Sequence, residues 1–250
     1  MSKKSIQKVR YQEIDAARGI AVLGMVGFHT AFIAQFFFGI ILFSGPFFWR
    51  AVPILIGGSF LTLAGLSLHI GASKGKYPSL LAAAKRSGFL FSLGLLITLG
   101  TYLLDFGGRI YFGVLHCIAL GSFISFCLLR LPRYLTLIIG MIIISVGMYW
   151  KLILQPCWGA SLFWLYPCFC PALGPMFDYY PLIPWMGFMC IGLFLGKQYY
   201  PQGIRGFSQA FTLPSMAFFR GLTFIGRHSL LIYFIHQPII YAILYLTNQR

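Results

Sequence analysis

The chain has 250 residues, of which 59% are hydrophobic and only 9% are charged. A soluble domain carries about 25% charged residues, so this composition excludes an ordinary water-soluble protein and predicts a single domain embedded in lipid. The net charge of +15 comes from 19 Lys and Arg residues against four acids. These cations lie between apolar runs rather than in one basic patch, which favours membrane orientation over nucleic-acid binding.

Seven apolar segments have about the length that a transmembrane helix requires, and none shows the alternation of a membrane β-strand. The sequence therefore predicts an all-α integral membrane bundle of seven spans. The predicted spans are 17–38, 51–70, 87–104, 111–129, 134–154, 182–196 and 228–246. The basic N-terminus leads into the first span without a small-residue cleavage site, so we interpret it as an uncleaved helix.

The distribution of positive charge predicts the orientation of these spans. With the N-terminus in the cytoplasm, 15 of the 19 basic residues fall on the cytoplasmic side, and four fall outside: Arg50, Arg109, Lys151 and Arg250. Cytoplasmic loops of membrane proteins carry such an excess. We therefore expect a cytoplasmic tail over residues 1–16, an outer C-terminus and a location in the cytoplasmic (inner) membrane.

Two long loops separate the later spans. The outer loop, 155–180, contains an apolar stretch whose three prolines interrupt helical hydrogen bonding. We expect it to lie on or dip into the membrane, since an eighth crossing would move the basic residues that follow to the outer face. The cytoplasmic loop, 197–227, contains an apolar piece at 207–219 that is too short to span and is expected as an interfacial helix.

Three of the six cysteines lie in the outer loop, at Cys157, Cys168 and Cys170. An oxidising exterior would allow two of them to form a disulfide, and free thiols packed as small apolar groups are the alternative. No spacing of Cys and His is typical of a structural zinc site, so no metal is expected.

Two ionisable residues of the first span invite a functional interpretation, because such groups are costly inside a bilayer. Arg18 and His29 are 11 positions apart, which at about 100° per residue places them on one face and about 16 Å apart along the axis. Taken singly, Arg18 fits an interfacial anchor and His29 fits a hydrogen bond between helices. Their common face favours a functional pair.

The last span contains a polar stripe formed by Ser229, Tyr233, His236 and Gln237. These positions recur at helical spacing and share one face. Exposure of this face to lipid would be costly, so we expect it to point into the bundle or a cavity. A polar seam between helices and a ligand site remain equal interpretations.

Three further residues on the outer side are candidates. His116 lies in the fourth span, where a packing hydrogen bond is the simpler interpretation and a functional imidazole is the other. Asp105 and Asp178 are the carboxylates of the outer side. Either could orient an imidazole or cap a helix.

Four segments resemble a known family. Residues 13–22, EIDAARGIAV, followed by His29, are similar to the opening of transmembrane acyltransferases. Three others are similar to the small bacterial branch related to heparan-α-glucosaminide N-acetyltransferase: FGVLHCI at 112–118, PLIPWMG at 181–187 and GRHSLLIYFIHQP at 226–238. The resemblance covers nearly the whole chain, and the last motif is the most specific.

The resemblance implies acyl transfer across a membrane. Cytoplasmic acyl-CoA, with acetyl-CoA expected, is the implied donor, and a hydroxyl or amine on the outer side, expected on a glycan, is the implied acceptor. Within this scheme His29 is the general base and Arg18 binds phosphate of the donor. In the heparan branch the catalytic histidine lies in the first outer loop, whereas residues 36–50 of this chain contain no histidine.

The remaining site residues receive secondary roles in this scheme. His116 and His236 are further catalytic candidates that line the channel for the acyl arm or orient His29. Ser229, Tyr233 and Gln237 are the candidates for contact with the donor, beside Arg18.

Other classes of function remain compatible with the sequence. A transporter would use the buried histidines as a proton relay, and a subunit without catalysis would use the bundle only to bind a partner. Binding of acyl-CoA would distinguish the enzyme from the transporter, because a ligand stabilises the protein that binds it against heat. Membrane lipid, donor and acceptor are the expected partners, nucleic acid is not, and a homo-oligomer is compatible with the sequence.

Overall fold

The computed structural model describes residues 10–104, 107–153, 162–165, 167, 173–174, 176–207 and 216–248. Within these ranges the chain forms α-helices and short 3-10 turns and no strand, so the predicted all-helical class is confirmed there. The helices are α1 (Gln12–Phe38), α2 (Pro46–Ser73), α3 (Leu80–Leu104), α4 (Val114–Cys127), α5 (Arg133–Ile153), α6 (Leu182–Tyr199), α7 (Ala217–Arg227) and α8 (Ser229–Asn248). Asp105 and the three cysteines of the expected disulfide lie outside the described residues.

Five of these helices are long and apolar enough to cross a membrane: α1, α2, α3, α5 and α8. Large apolar side chains on their surfaces are exposed, among them Ile20, Leu55 and Leu99. Lipid solvates such surfaces, and a helix satisfies its own backbone hydrogen bonds there. The chain is therefore a multi-pass membrane protein. The other two predicted spans correspond to shorter helices, α4 with 14 residues and α6 with 18.

The chain divides into two compact units. The first unit combines Met1–Ile56 with Gln209–Arg250, and so contains α1, the start of α2, α7 and α8. The second unit, Gly57–Ser208, contains the rest of α2 and the helices α3 to α6. The two ends of the sequence, which hold the first and last motifs, thus fold together.

In the first unit, α7 packs against the N-terminal half of α1 with the two backbones in contact. A Cβ atom on Gly19 would overlap the carbonyl oxygen of Leu222, and one on Gly226 would overlap the carbonyl oxygen of Asp15. Glycines allow membrane helices to approach this closely. Part of the segment 207–219, which we expected as an interfacial helix, lies outside the described residues, and α7 begins within its last three positions.

The second unit is built around α6. Leu193 of this helix is completely buried. Gly192 faces the backbone of Thr62 in α2, and Gly187 faces the backbone of Gly140 in α5. The same use of glycine at helix contacts therefore recurs in both units, and it compensates for the weak hydrophobic drive between helices in lipid.

Two glycines of α7 provide a matched test of the contact between α1 and α7. Gly226→Ala places a methyl group against the Asp15 carbonyl, so we expect a loss of about 1–3 kcal/mol, the usual cost of overpacking. Gly221→Ala, on the same helix, has nothing within 4 Å of the added Cβ. Its reduced backbone entropy should stabilise the helix by about 0.5–1 kcal/mol. Thermal unfolding of the purified protein in detergent checks both, and equal melting temperatures for the two variants would contradict the contact.

Candidate active site

Two histidines that lie far apart in the sequence meet in the first unit. Nδ1 of His29, on α1, is 2.8 Å from Nε2 of His236, on α8, across a separation of 207 positions. The ring centroids are 4.9 Å apart with an angle of 42° between the planes. His236 is 5% exposed and His29 is half-buried. The structure thus brings two of the three predicted catalytic residues into direct hydrogen-bond contact.

The backbone of α8 determines which nitrogens of this pair carry protons. Nδ1 of His236 is 3.0 Å from the carbonyl oxygen of Ile232 and 2.8 Å from that of Tyr233. Carbonyl oxygens only accept hydrogen bonds, so Nδ1 of His236 is the protonated nitrogen and its Nε2 is an acceptor. His29 must then donate from Nδ1. In the neutral pair, Nε2 of His29 is therefore the nitrogen with a free lone pair.

Aromatic rings surround the histidine pair within the unit. Phe28 lies edge-on to His29 with the centroids 5.8 Å apart, and it also contacts Phe48 and Trp49. On the other side, the Tyr233 ring centroid is 6.0 Å from that of His236. Such apolar surroundings lower the local dielectric constant and strengthen the hydrogen bond between the two imidazoles.

The other members of the polar stripe on α8 are more exposed than His236. Ser229, Tyr233 and Gln237 are each partly exposed, whereas His236 is buried against α1. His236 therefore joins the predicted stripe on α8 to His29, the candidate residue on α1.

Arg18 belongs to a second cluster of the same unit, formed with Asp15 and Arg227. Nη1 of Arg18 lies 3.2 Å from Oδ1 of Asp15, one turn earlier on α1. Nε of Arg227, at the end of α7, lies 3.3 Å from Oδ2 of the same carboxylate. Asp15 is buried, at 7% exposure. One carboxylate therefore joins guanidinium groups from two helices, and Arg18 is paired rather than isolated.

His116, the third predicted catalytic residue, belongs to the second unit. It is 1% exposed, and its Nδ1 accepts a hydrogen bond from the N–H of Gly113, 3.2 Å away, at the start of α4. Its ring packs on Phe91 and Phe112, with centroids 5.0 and 5.5 Å away. A Cβ on Gly94 would lie 2.9 Å from the imidazole. His116 is therefore a packed side chain whose Nδ1 is hydrogen-bonded, whereas its buried Nε2 has no hydrogen-bond partner among the described residues.

Asp178 helps to form the same helix start. Its Oδ2 accepts a hydrogen bond of 3.0 Å from the N–H of Val114, the first residue of α4. The nearby Tyr180 N–H donates to the carbonyl of Phe112, which holds the segment before α6 alongside the chain that precedes α4. Burial raises the pKa of Asp178 to about 6, and the hydrogen bond from Val114 partly opposes this shift. Of the two roles that the sequence allowed, capping a helix is the one that this contact serves.

Comparison with known proteins gives one family. The family model described as heparan-alpha-glucosaminide N-acetyltransferase, catalytic, matches residues 10–238. The chain belongs to this family. The resemblance deduced from the sequence motifs is therefore confirmed, and the protein is a member of a membrane acetyltransferase family. Searches of curated proteins and of solved structures give no match.

The sequence did not identify Asp15 and Arg227 as candidate site residues. The spacing of Asp15 and Arg18 at i and i+3 was a visible signal for one ion pair. The contact with Arg227 had no such signal, because it joins residues 212 positions apart. Both residues lie inside the matched range of the acetyltransferase family.

The raised pKa of Asp178 predicts how the stability of this protein depends on pH. Because the folded state raises this pKa from 3.8 to about 6, the folded state binds the proton more tightly than the unfolded state. Its contribution to stability is complete below about pH 4 and is lost as pH rises through 6. Asp178→Asn stays neutral and keeps an oxygen acceptor for Val114. Its melting temperature should therefore fall less between pH 5 and pH 7.5 than that of the unmodified protein.

Thermal unfolding of both proteins in one detergent at the two pH values checks this expectation. Asp178→Ala serves as the control, since it removes both the titrating group and the acceptor and should lower the melting temperature at both pH values. Parallel pH dependence of the Asn variant and the unmodified protein would show that Asp178 does not control the slope.

Proposed function

We propose that this protein is a membrane-embedded acyltransferase that uses cytoplasmic acyl-CoA as its donor. The acyl group is acetyl, and the acceptor is a hydroxyl or amine of a glycan on the outer face. Membership of the acetyltransferase family supports the reaction class. The contact between His29 and His236 supports the site, because it provides a base whose free lone pair is determined by the protein.

The proposed reaction assigns Nε2 of His29 as the general base. The acceptor O–H or N–H gives its proton to this nitrogen while its oxygen or nitrogen attacks the thioester carbonyl carbon. The C–S bond then breaks, and the leaving thiolate takes the proton back from His29, so that the enzyme returns to its neutral state. Positioned proton transfer of this kind contributes about 100- to 10,000-fold to a rate.

His236 orients His29 and stabilises the imidazolium that forms. Its lone pair on Nε2 accepts from Nδ1 of His29 in both charge states of His29. Its own proton is held by the carbonyls of Ile232 and Tyr233, so His236 keeps one tautomer. This is the role that a carboxylate fulfils in a Ser-His-Asp triad, here performed by a neutral imidazole.

In this proposal the bound acyl-CoA lies along α1, between Arg18 and His29. Arg18 binds phosphate of acyl-CoA by charge-assisted hydrogen bonds. It lies about 16 Å from His29 along α1, a length comparable with an extended pantetheine arm. Ser229, Tyr233 and Gln237, on the stripe that contains His236, contact that arm. His116 stays the alternative base, to be considered if His29 proves dispensable.

The proposed topology is a single domain over 1–250 with seven spans in the cytoplasmic (inner) membrane. The tail 1–16 and the loop 197–227 are cytoplasmic, and the loop 155–180 and the C-terminus are outside. The asymmetry of basic residues and the five long apolar helices support this arrangement. Family membership favours transfer over the rival function of a proton-relay transporter.

Substitutions at three histidines test the catalytic assignment. His29→Ala should lower the turnover number by about 100-fold or more, the usual scale for a general base, and leave acetyl-CoA binding nearly intact. His236→Phe should lower it less, and His236→Gln should restore part of the loss, because a glutamine oxygen can accept from His29. His228→Ala is the matched control, since His228 is exposed and its Nδ1 lies 2.8 Å from the carbonyl of Phe224.

Turnover is measured with purified protein, acetyl-CoA and a set of amine and hydroxyl acceptors. Normal turnover of His29→Ala would reduce His29 to a packing residue and make His116 the better candidate. Equal loss in His228→Ala would instead indicate general damage to α7 and α8.

The topology makes a separate prediction. A C-terminal reporter that is active only in the cytoplasm should remain silent, and one that is active only outside should work. The opposite pattern would require an even number of spans and would point to a crossing within 155–180.

A further inference from the structure

The cluster of Asp15, Arg18 and Arg227 combines a buried anion with two accessible cations. The Asp15 side chain is 10% exposed, whereas those of Arg18 and Arg227 are 24% and 40% exposed. Both guanidinium groups approach the same carboxylate, one at each oxygen. These three side chains carry one negative and two positive charges.

The backbones of α1 and α7 are in contact on both sides of this cluster. Gly226 packs against the carbonyl of Asp15, and Gly19, next to Arg18, packs against the carbonyl of Leu222. Arg227 directly follows Gly226, so the contact between α1 and α7 sets the position of its backbone relative to Asp15. Arg227 contacts Asp15 through Nε, so this hydrogen bond does not use its two terminal nitrogens.

The charged cluster and the histidine pair share α1, which contacts Arg227 of α7 in the first cluster and His236 of α8 in the second. On α1, Arg18 and His29 are about 16 Å apart along the axis. At the C-terminal end of the chain, Arg227 precedes His236 by nine positions. Arg227, which contacts Asp15, and His236, which contacts His29, therefore both come from the segment 226–238.

We propose that Arg227 and Arg18 together form one binding site for a phosphate or pyrophosphate group, and that Asp15 is the positioning residue that holds the two guanidiniums side by side. Paired guanidiniums bind phosphate through planar, bidentate hydrogen bonds, which favour arginine over lysine. The inference rests on the proposed function, since the phosphate is assigned to the acyl donor. It adds Arg227 and Asp15 to a site for which the sequence had indicated Arg18.

Arg227 is tested by comparing two donors that differ in phosphate. The full-length protein is placed in nanodiscs of neutral lipid, and its affinity is measured for acetyl-CoA and for acetyl-pantetheine, which has no phosphate. Arg227→Gln should weaken acetyl-CoA binding by about 10-fold or more, the scale of a hydrogen bond to a charged group, without changing the affinity for acetyl-pantetheine. Arg227→Lys should restore part of the loss.

Arg220→Gln is the matched control. Arg220 lies on α7 two turns before Arg227, is exposed, and has no ion pair with Asp15 among the described residues. Its replacement should leave the affinity for both donors unchanged.

Asp15→Asn separates positioning from simple charge. Removal of a negative charge beside a phosphate would by itself tighten acetyl-CoA binding. Loss of the Asp15 carboxylate should instead weaken acetyl-CoA binding, because the guanidinium groups of Arg18 and Arg227 are then no longer held side by side. We expect weaker binding of acetyl-CoA and unchanged binding of acetyl-pantetheine, so tighter binding would overturn the positioning role.

The remaining outcomes distinguish this inference from the proposed function. If acetyl-CoA binds equally well to the unmodified protein and to Arg227→Gln, or if Arg227→Gln lowers only thermal stability, the cluster is purely structural and the inference is wrong while the enzyme proposal stands. If the unmodified protein binds pyrophosphate through Arg227 but not acetyl-CoA, the anion site stands and the acyltransferase proposal fails. If it binds neither, both fail.

A final arm of the experiment addresses lipid as the source of phosphate. The same variants are compared in nanodiscs with and without phosphatidylglycerol. Stabilisation by this lipid that requires Arg227, without an effect of Arg227→Gln on acetyl-CoA binding, would assign the site to a lipid headgroup and overturn its assignment to the donor.

Discussion

The backbone contact between α1 and α7 is the constraint on which the chemistry of the first unit depends. Gly19 and Gly226 leave no side chain between the two helices at their closest points. Only one residue, His228, separates α7 from α8, so the placement of α7 also directs the start of α8. The contact that brings Arg227 to Asp15 therefore contributes to bringing His236 to His29.

Both polar clusters of this unit obey the same rule for polar groups in lipid, which is that each buried group needs a partner. Asp15 has two cations, and His236 has an acceptor pair in its own backbone and a donor in His29. The histidine pair needs no net charge to be satisfied. A neutral imidazole that is oriented by backbone carbonyls is thus a base that an apolar environment can accommodate at low cost.

Local periodicity was sufficient for some features and insufficient for others. Hydropathy located the long helices, and helical spacing identified Arg18, His29 and the stripe with His236. It could not show that His29 meets His236, because that contact depends on which helices become neighbours across 207 positions. The pairing of Arg227 with Asp15 was hidden for the same reason.

The roles of single residues show the same division. The sequence allowed Asp178 either to orient an imidazole or to cap a helix, and its partner, the Val114 N–H, lies 64 positions away. The start of α7 at Ala217 was also out of reach, since a short amphipathic helix that packs through glycines has little apolar length to mark it. Hydropathy measures transfer into lipid, whereas close approach of two backbones depends on the absence of side chains.

The motif at 226–238 spans a helix break, and this has a consequence for how the segment can vary. Gly226 and Arg227 end α7, while the residues from Ser229 onward turn as one rigid helix. Insertion of a single residue after Ser229 would rotate His236 by about 100° around the helix axis and shift it by about 1.5 Å, away from His29. Replacing a lipid-facing side chain between Arg227 and His236 with another apolar one does not change the direction of His236. The number of residues in this segment is therefore under stronger restriction than their identity.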